Sequence, residues 1–158
     1  MLLGKKRELG RKTEDLILGE NLKLTETIED KDLLLYLGLT NDGNPLYIQH
    51  DFAAQTVFEK PVVPTIMLTG IITSAISKYL PGPGSYINEQ RLKFYRPVYH
   101  YSTIEFLLEL AEIDVKNNEV TVKIEATNEE GQQVISGVVL VNPPQLDNQL
   151  TTRSVNEQ

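Results

Sequence analysis

From Pro64 to Leu80 the chain carries no charge before Lys78, and Ile66, Met67, Ile71, Ile72, Ala75 and Ile76 fall on nearly every face of a helix. This run limits the possible folds more than any other. A helix that is apolar almost all round must be covered on most sides. Pro64 suits its first turn, because the first N–H groups of a helix have no helical acceptor. Pro81-Gly82-Pro83-Gly84 ends it. Thr65, Thr69, Thr73 and Ser77 form the only polar line, at four-residue spacing. Their hydroxyls can bond carbonyls of the preceding turn, so the line reads as packing rather than as a substrate track.

The cover comes after the helix. Residues 85–95, 102–114, 119–128 and 133–141 are rich in Val, Ile, Tyr, Phe and Thr, with turn signals at Asn117-Asn118 and Glu130-Gly131. They read as strands, the last of them joined as antiparallel hairpins. Upstream, residues 20–29 alternate apolar and polar and read as a half-exposed strand. A short helix through Leu33–Leu37, capped by Asp30, and a helical turn at Phe52-Ala53-Ala54 complete the elements. The fold class is therefore α+β: one long central helix wrapped by a curved antiparallel sheet.

A chain of 158 residues holds one domain with a real core. Its expected bounds are 19–143, after a polar lead-in over 1–18 that includes a short helix near Glu14–Leu16. The polar tail over 144–158 reads as disordered. Net charge is −7, and the one basic cluster, Lys5, Lys6, Arg7, Arg11 and Lys12, reads as a solvated tail. Nucleic acid is not an expected partner. No apolar run is long enough for a membrane span, and the N-terminus lacks the apolar centre of a secretory signal. A cytoplasmic protein is expected. Without cysteine, and with His50 and His100 far apart, no metal site is expected.

The segment Asn41 to Pro61 carries the chemistry. Asp42-Gly43-Asn44-Pro45 is good turn chemistry by itself, since Asp and Asn side chains bond nearby backbone N–H groups. It also resembles a signature. Asp42-x-Asn44-Pro45-Leu46-Tyr47 with Phe52-Ala53-Ala54 and Pro61 is one of three matching segments. The others are Leu80 to Ser85, and Gln90-x-Leu92-x-Phe94-x-x-Pro97-Val98. Together, in order, they resemble the MaoC-like, (R)-specific enoyl-CoA hydratase family across about residues 40–100.

The resemblance implies a hotdog fold and the hydration of a trans-2-enoyl thioester, or its reverse. It implies no cofactor, an acyl-CoA or acyl-carrier-protein thioester as substrate, and a homodimer with no membrane partner. In the family an aspartate and a histidine five residues later activate water, and a backbone N–H at the start of the central helix binds the oxyanion. Asp42 holds the aspartate position, with Asn44 and Pro45 shaping its turn. Tyr47 stands where the histidine belongs. The His-Gly pair of the helix start becomes Pro64-Thr65, and a later Gly-Asp becomes Tyr101-Ser102. Candidate catalytic residues are thus Asp42, Tyr47 and Thr65, whose N–H survives. Asn44, Pro64 and Gly70 are candidates for substrate binding.

Tyrosine has an ordinary pKa near 10 and is a poor base at neutral pH. It can position water, donate a proton, or simply line a pocket. His50, three residues on, reads as solvated. Two classes stay open: an enoyl-thioester hydratase or dehydratase with an altered Asp/Tyr site, and a non-catalytic hotdog protein that binds an acyl thioester. A thioesterase is a third option, since the hotdog frame hosts all of these.

Overall fold

The computed structural model of the protein describes residues 8–146. Residues 1–7 and 147–158, which include Lys5, Lys6, Arg7 and most of the expected tail, lie outside the described residues. The elements run β1 (Asn21–Thr27), α1 (Asp30–Thr40), α2 (His50–Ala53), α3 (Thr65–Lys78), β2 (Tyr86–Phe94), β3 (Thr103–Asp114), β4 (Glu119–Thr127) and β5 (Gln133–Asn142). Short 3₁₀ turns lie at Thr13–Asp15 and Pro45–Tyr47.

The five strands form one antiparallel sheet in the order β1-β3-β4-β5-β2. Successive strand side chains point to opposite faces. In β3, Ile104, Phe106, Leu108 and Leu110 turn inward; in β4, Val120, Val122, Ile124 and Ala126 do the same. Leu68, Ile72, Ala75 and Ile76 of α3 join them in one core. Each fully buried Leu, Ile or Phe contributes about 1.5–3 kcal/mol against exposure, so the helix is held chiefly by this seam. The hotdog architecture is the one expected.

The burial of α3 differs from expectation. One chain covers one face, at i, i+4, i+7 and i+8, while Ile66 stays 54% exposed. The apolar composition could not say which face the sheet takes, because nearly every face was eligible. Thr69 Oγ1 donates to the carbonyl of Thr65 at 3.3 Å, the self-satisfaction open to a helical threonine. Helix α1 differs too. Its N-cap is Glu29, not Asp30: the Glu29 side chain accepts from the backbone of Asp32, and Glu29 N donates to Asp32 Oδ2 at 3.0 Å. A reciprocal box one residue earlier satisfies two helix-end donors at once.

Two close approaches shape the frame. Gly137 of β5 has φ 156°, and a Cβ there would lie 2.0 Å from the Arg91 carbonyl oxygen of β2. Only glycine lets β2 come in this closely. Gly10 packs the same way on the end of α3: its N–H donates to Pro83 O at 2.7 Å, and an added Cβ would lie 2.6 Å from Gly82 C. Thr13 and Leu16 are buried beside it, and the Thr13 hydroxyl bonds Asn118 Oδ1.

Candidate active site

Three stretches meet at the N-terminal end of α3. The first is the 3₁₀ turn Pro45–Tyr47, built by Asn44, whose Oδ1 accepts from Leu46 N at 3.0 Å. Leu46 O then accepts from Val62 N at 3.2 Å, which ties the turn to the residues entering α3. The second is the helix entry, where Val63 N donates to Val98 O at 2.7 Å. The third is the run leaving β2, Phe94 to Val98. Between them lies a cavity of about 330 Å³, lined by Leu46, Tyr47, Phe58, Thr65, Leu68, Phe94 and their neighbours.

Tyr47 and Thr65, far apart in sequence, therefore share one cavity. Thr65 is the first residue of α3 and exposed, and Pro64 before it is buried. Among the described residues no carbonyl accepts from Thr65 N. An unused N–H at the positive end of a helix of this length favours a developing negative charge.

Asp42 is half-buried and does not line that cavity. Its carboxylate folds back on α1. Asn41 takes a left-handed conformation (φ 55°) that ends the helix, and Asp42 then accepts from Tyr36 Oη at 2.9 Å and from Asn44 N at 3.0 Å. Burial first, then the hydrogen bond and charge of Asp42, raise the Tyr36 phenol above its usual 10; Tyr47 adds a smaller push in the same direction. Asn44 is exposed, and its side chain serves the turn.

Gly70 lines a different cavity, of about 440 Å³, between β1 and α3, together with Leu24, Ile28, Met67 and Ile71. The structure does not bring it to Tyr47 and Thr65. His50 is exposed at the start of α2, as expected of a solvated histidine. Among the described residues, no group of three or more His, Cys, Asp or Glu side chains could hold a metal ion. No helix among them is long and apolar enough to cross a membrane.

Two contacts escaped the sequence. One is Tyr36. The other is His100, whose Nε2 lies 3.2 Å from the Tyr47 carbonyl oxygen. A carbonyl can only accept, so Nε2 carries the proton there. Nδ1 is buried without a hydrogen-bond partner and lies 3.8 Å from Asp30 Oδ1. The ring thus props the Tyr47 turn from beneath. A tyrosine on the helix before Asp42, and a histidine just after Pro97-Val98, were the available signals; neither has a fixed partner without the fold.

Comparison with known proteins agrees with this fold. Residues 16–132 match the family described as MaoC like domain. An (R)-specific enoyl-CoA hydratase of Rhodospirillum rubrum is 31% identical over 131 residues, covering 83% of this chain and 90% of that protein. A 3-hydroxybutyryl-CoA dehydratase of Methylorubrum extorquens is 30% identical, covering 83% of each. Among solved structures, the unliganded R-hydratase PhaJ1 of Pseudomonas aeruginosa superposes with a TM-score of 0.79 at 28% identity, covering 87% of this chain and 88% of that one.

Proposed function

Because the chain belongs to the MaoC-like domain family, we propose that it is a hydro-lyase that adds water to, or removes it from, an acyl thioester through an altered Asp/Tyr site. The observation that carries this reading is the shared cavity of Tyr47 and Thr65 at the start of α3. The relatives named as an enoyl-CoA hydratase and a hydroxybutyryl-CoA dehydratase support the substrate class.

In this reading a trans-2-enoyl thioester lies with its carbonyl oxygen at Thr65 N–H and its β-carbon toward Tyr47. Asp42 takes a proton from water as the water oxygen bonds the β-carbon. Electron density moves to the thioester oxygen, where the helix end stabilises it. The proton then passes to the α-carbon, and the carbonyl re-forms. Tyr47 orients the water or relays the proton, since a neutral phenol donates readily and abstracts poorly. Pro64 fixes the approach of the chain into the helix, and Asn44 holds the turn. Gly70 is a substrate contact only if the acyl chain reaches the second cavity.

The reading needs no cofactor beyond the thioester itself. The catalytic unit is residues 19–143, with Leu16 of the lead-in packed into its core, acting as a homodimer in the cytoplasm. β1 and β2 are the free edges of the sheet, and Ile66 on the open flank of α3 is exposed; a second copy would cover such surfaces. One observation favours the non-catalytic alternative. The Asp42 carboxylate is held by Tyr36 and Asn44 N and is absent from the cavity wall. Crotonyl-CoA separates the options. Loss of the enoyl chromophore with a 3-hydroxy product marks a hydratase, and release of free thiol marks a thioesterase. Thermal stabilisation by the thioester without turnover marks a binding protein.

A further inference from the structure

We infer that Tyr36 is a positioning residue for Asp42, a second tyrosine that holds the candidate base where the family's histidine is missing. The inference deepens the hydratase reading and rests on it. Its basis is how the carboxylate is held. α1 ends at Thr40, and Asn41 in the left-handed region turns the chain so that Asp42 lies back along the helix. Tyr36 Oη donates to Oδ2 at 2.9 Å, and Asn44 N donates to Oδ1 at 3.0 Å. Thr40 completes the ring: its hydroxyl donates to Tyr36 O at 2.8 Å and accepts from Asp42 N at 3.3 Å.

The main-chain donor on Oδ1 is present whatever the side chains are. The donor on Oδ2 exists only because residue 36 is tyrosine. A carboxylate oxygen has two acceptor positions, so Oδ2 keeps one free for a water while the phenol fixes its direction. The phenol is suited to this task because it stays protonated: burial, the Asp42 hydrogen bond and the Asp42 charge all hold it above its ordinary pKa. Tyr47 adds a smaller push in the same direction. Loss of the Tyr36 hydroxyl leaves Oδ2 without the donor that fixes its direction.

The test has two arms. In the first, wild type and Tyr36→Phe are compared for crotonyl-CoA hydration. The variant is expected to lose on the order of 10- to 100-fold in kcat/KM, the usual worth of a hydrogen bond to a charged group. The loss is expected to fall on kcat with KM little changed, a split that a merely structural role would not cause. A variant with wild-type kcat overturns the inference and leaves the hydratase reading intact. An inactive wild type sinks the hydratase reading and, with it, any catalytic role for Tyr36. The second arm does not depend on activity or on the folding of the Phe variant. NMR titration of the Tyr36 ring carbon bearing the hydroxyl is run on wild type and Asp42→Asn. A lower midpoint in Asp42→Asn supports the pairing, and an unchanged midpoint overturns it.

Discussion

Replacing Thr65 with proline isolates the proposed oxyanion donor from everything else at the helix entry. Thr65 is the first residue of α3, and among the described residues its N–H serves no acceptor. Proline at that position removes only an N–H that the helix does not use, and its fixed φ suits a first helical residue. The residue before a proline must be extended, and Pro64 already has φ −55° and ψ 130°. The folded state should therefore lose little, with Tm within a few degrees of wild type. The reaction should lose a great deal. Removing one oxyanion donor costs about 2.7–4 kcal/mol, or roughly 10²–10³ in kcat. Steady-state hydration of crotonyl-CoA gives kcat, and a thermal melt gives stability. Thr65→Ala is the control, since it keeps the N–H and loses the side chain; it should retain most of the activity. A Thr65→Pro enzyme that melts normally and keeps kcat within about threefold (under 1 kcal/mol) refutes the assignment of the donor to this residue.

Three further outcomes follow from the same structure. Tyr47→His should raise hydration by at least tenfold in kcat, because imidazole titrates near neutrality and the cavity beside Thr65 is already formed; no gain would mean that the Asp42 orientation, not the residue at 47, limits the rate. Gly137→Ala should cost about 1–3 kcal/mol in urea unfolding, since its Cβ would meet the Arg91 carbonyl at 2.0 Å and drive β2 outward; a loss below about 0.5 kcal/mol contradicts that contact. Gly70→Ala should gain about 1 kcal/mol, because the position is helical, exposed and open for 4 Å around an added Cβ, and a loss instead would show that a partner subunit covers this flank.

Much of the frame was legible because its signals are local. The apolar run over 64–80, uncharged before Lys78, became α3 (Thr65–Lys78), and the stretches rich in Val, Ile and Thr became β2 to β5 within a residue or two of their expected ends. Tyr47 and Thr65 were named from the sequence through family resemblance, and the fold puts both on one cavity wall. What stayed hidden depends on tertiary direction. No sequence pattern marks which side of α3 faces the sheet when Ile66, Ile71, Ile72 and Ile76 all qualify. Leu34, Leu35 and Leu39 of α1 are exposed and only Leu33 is buried, a direction that the leucine-rich composition of the helix does not encode. The reach of Tyr36 to Asp42 depends on one left-handed residue, Asn41, which turns a separation of six positions into a hydrogen bond. The support of the Tyr47 turn by His100 spans 53 positions and no motif encodes it.

We propose Asp42 as the base for water addition at the α3 entrance. Product analysis of crotonyl-CoA incubated with wild type and with Asp42→Ala tests it most directly. Wild type is expected to give 3-hydroxybutyryl-CoA, and a folded Asp42→Ala a rate lower by on the order of 10³-fold, in line with the loss of a general base. A folded wild type that forms no hydrated product, or an Asp42→Ala protein that forms it at the wild-type rate, would contradict it.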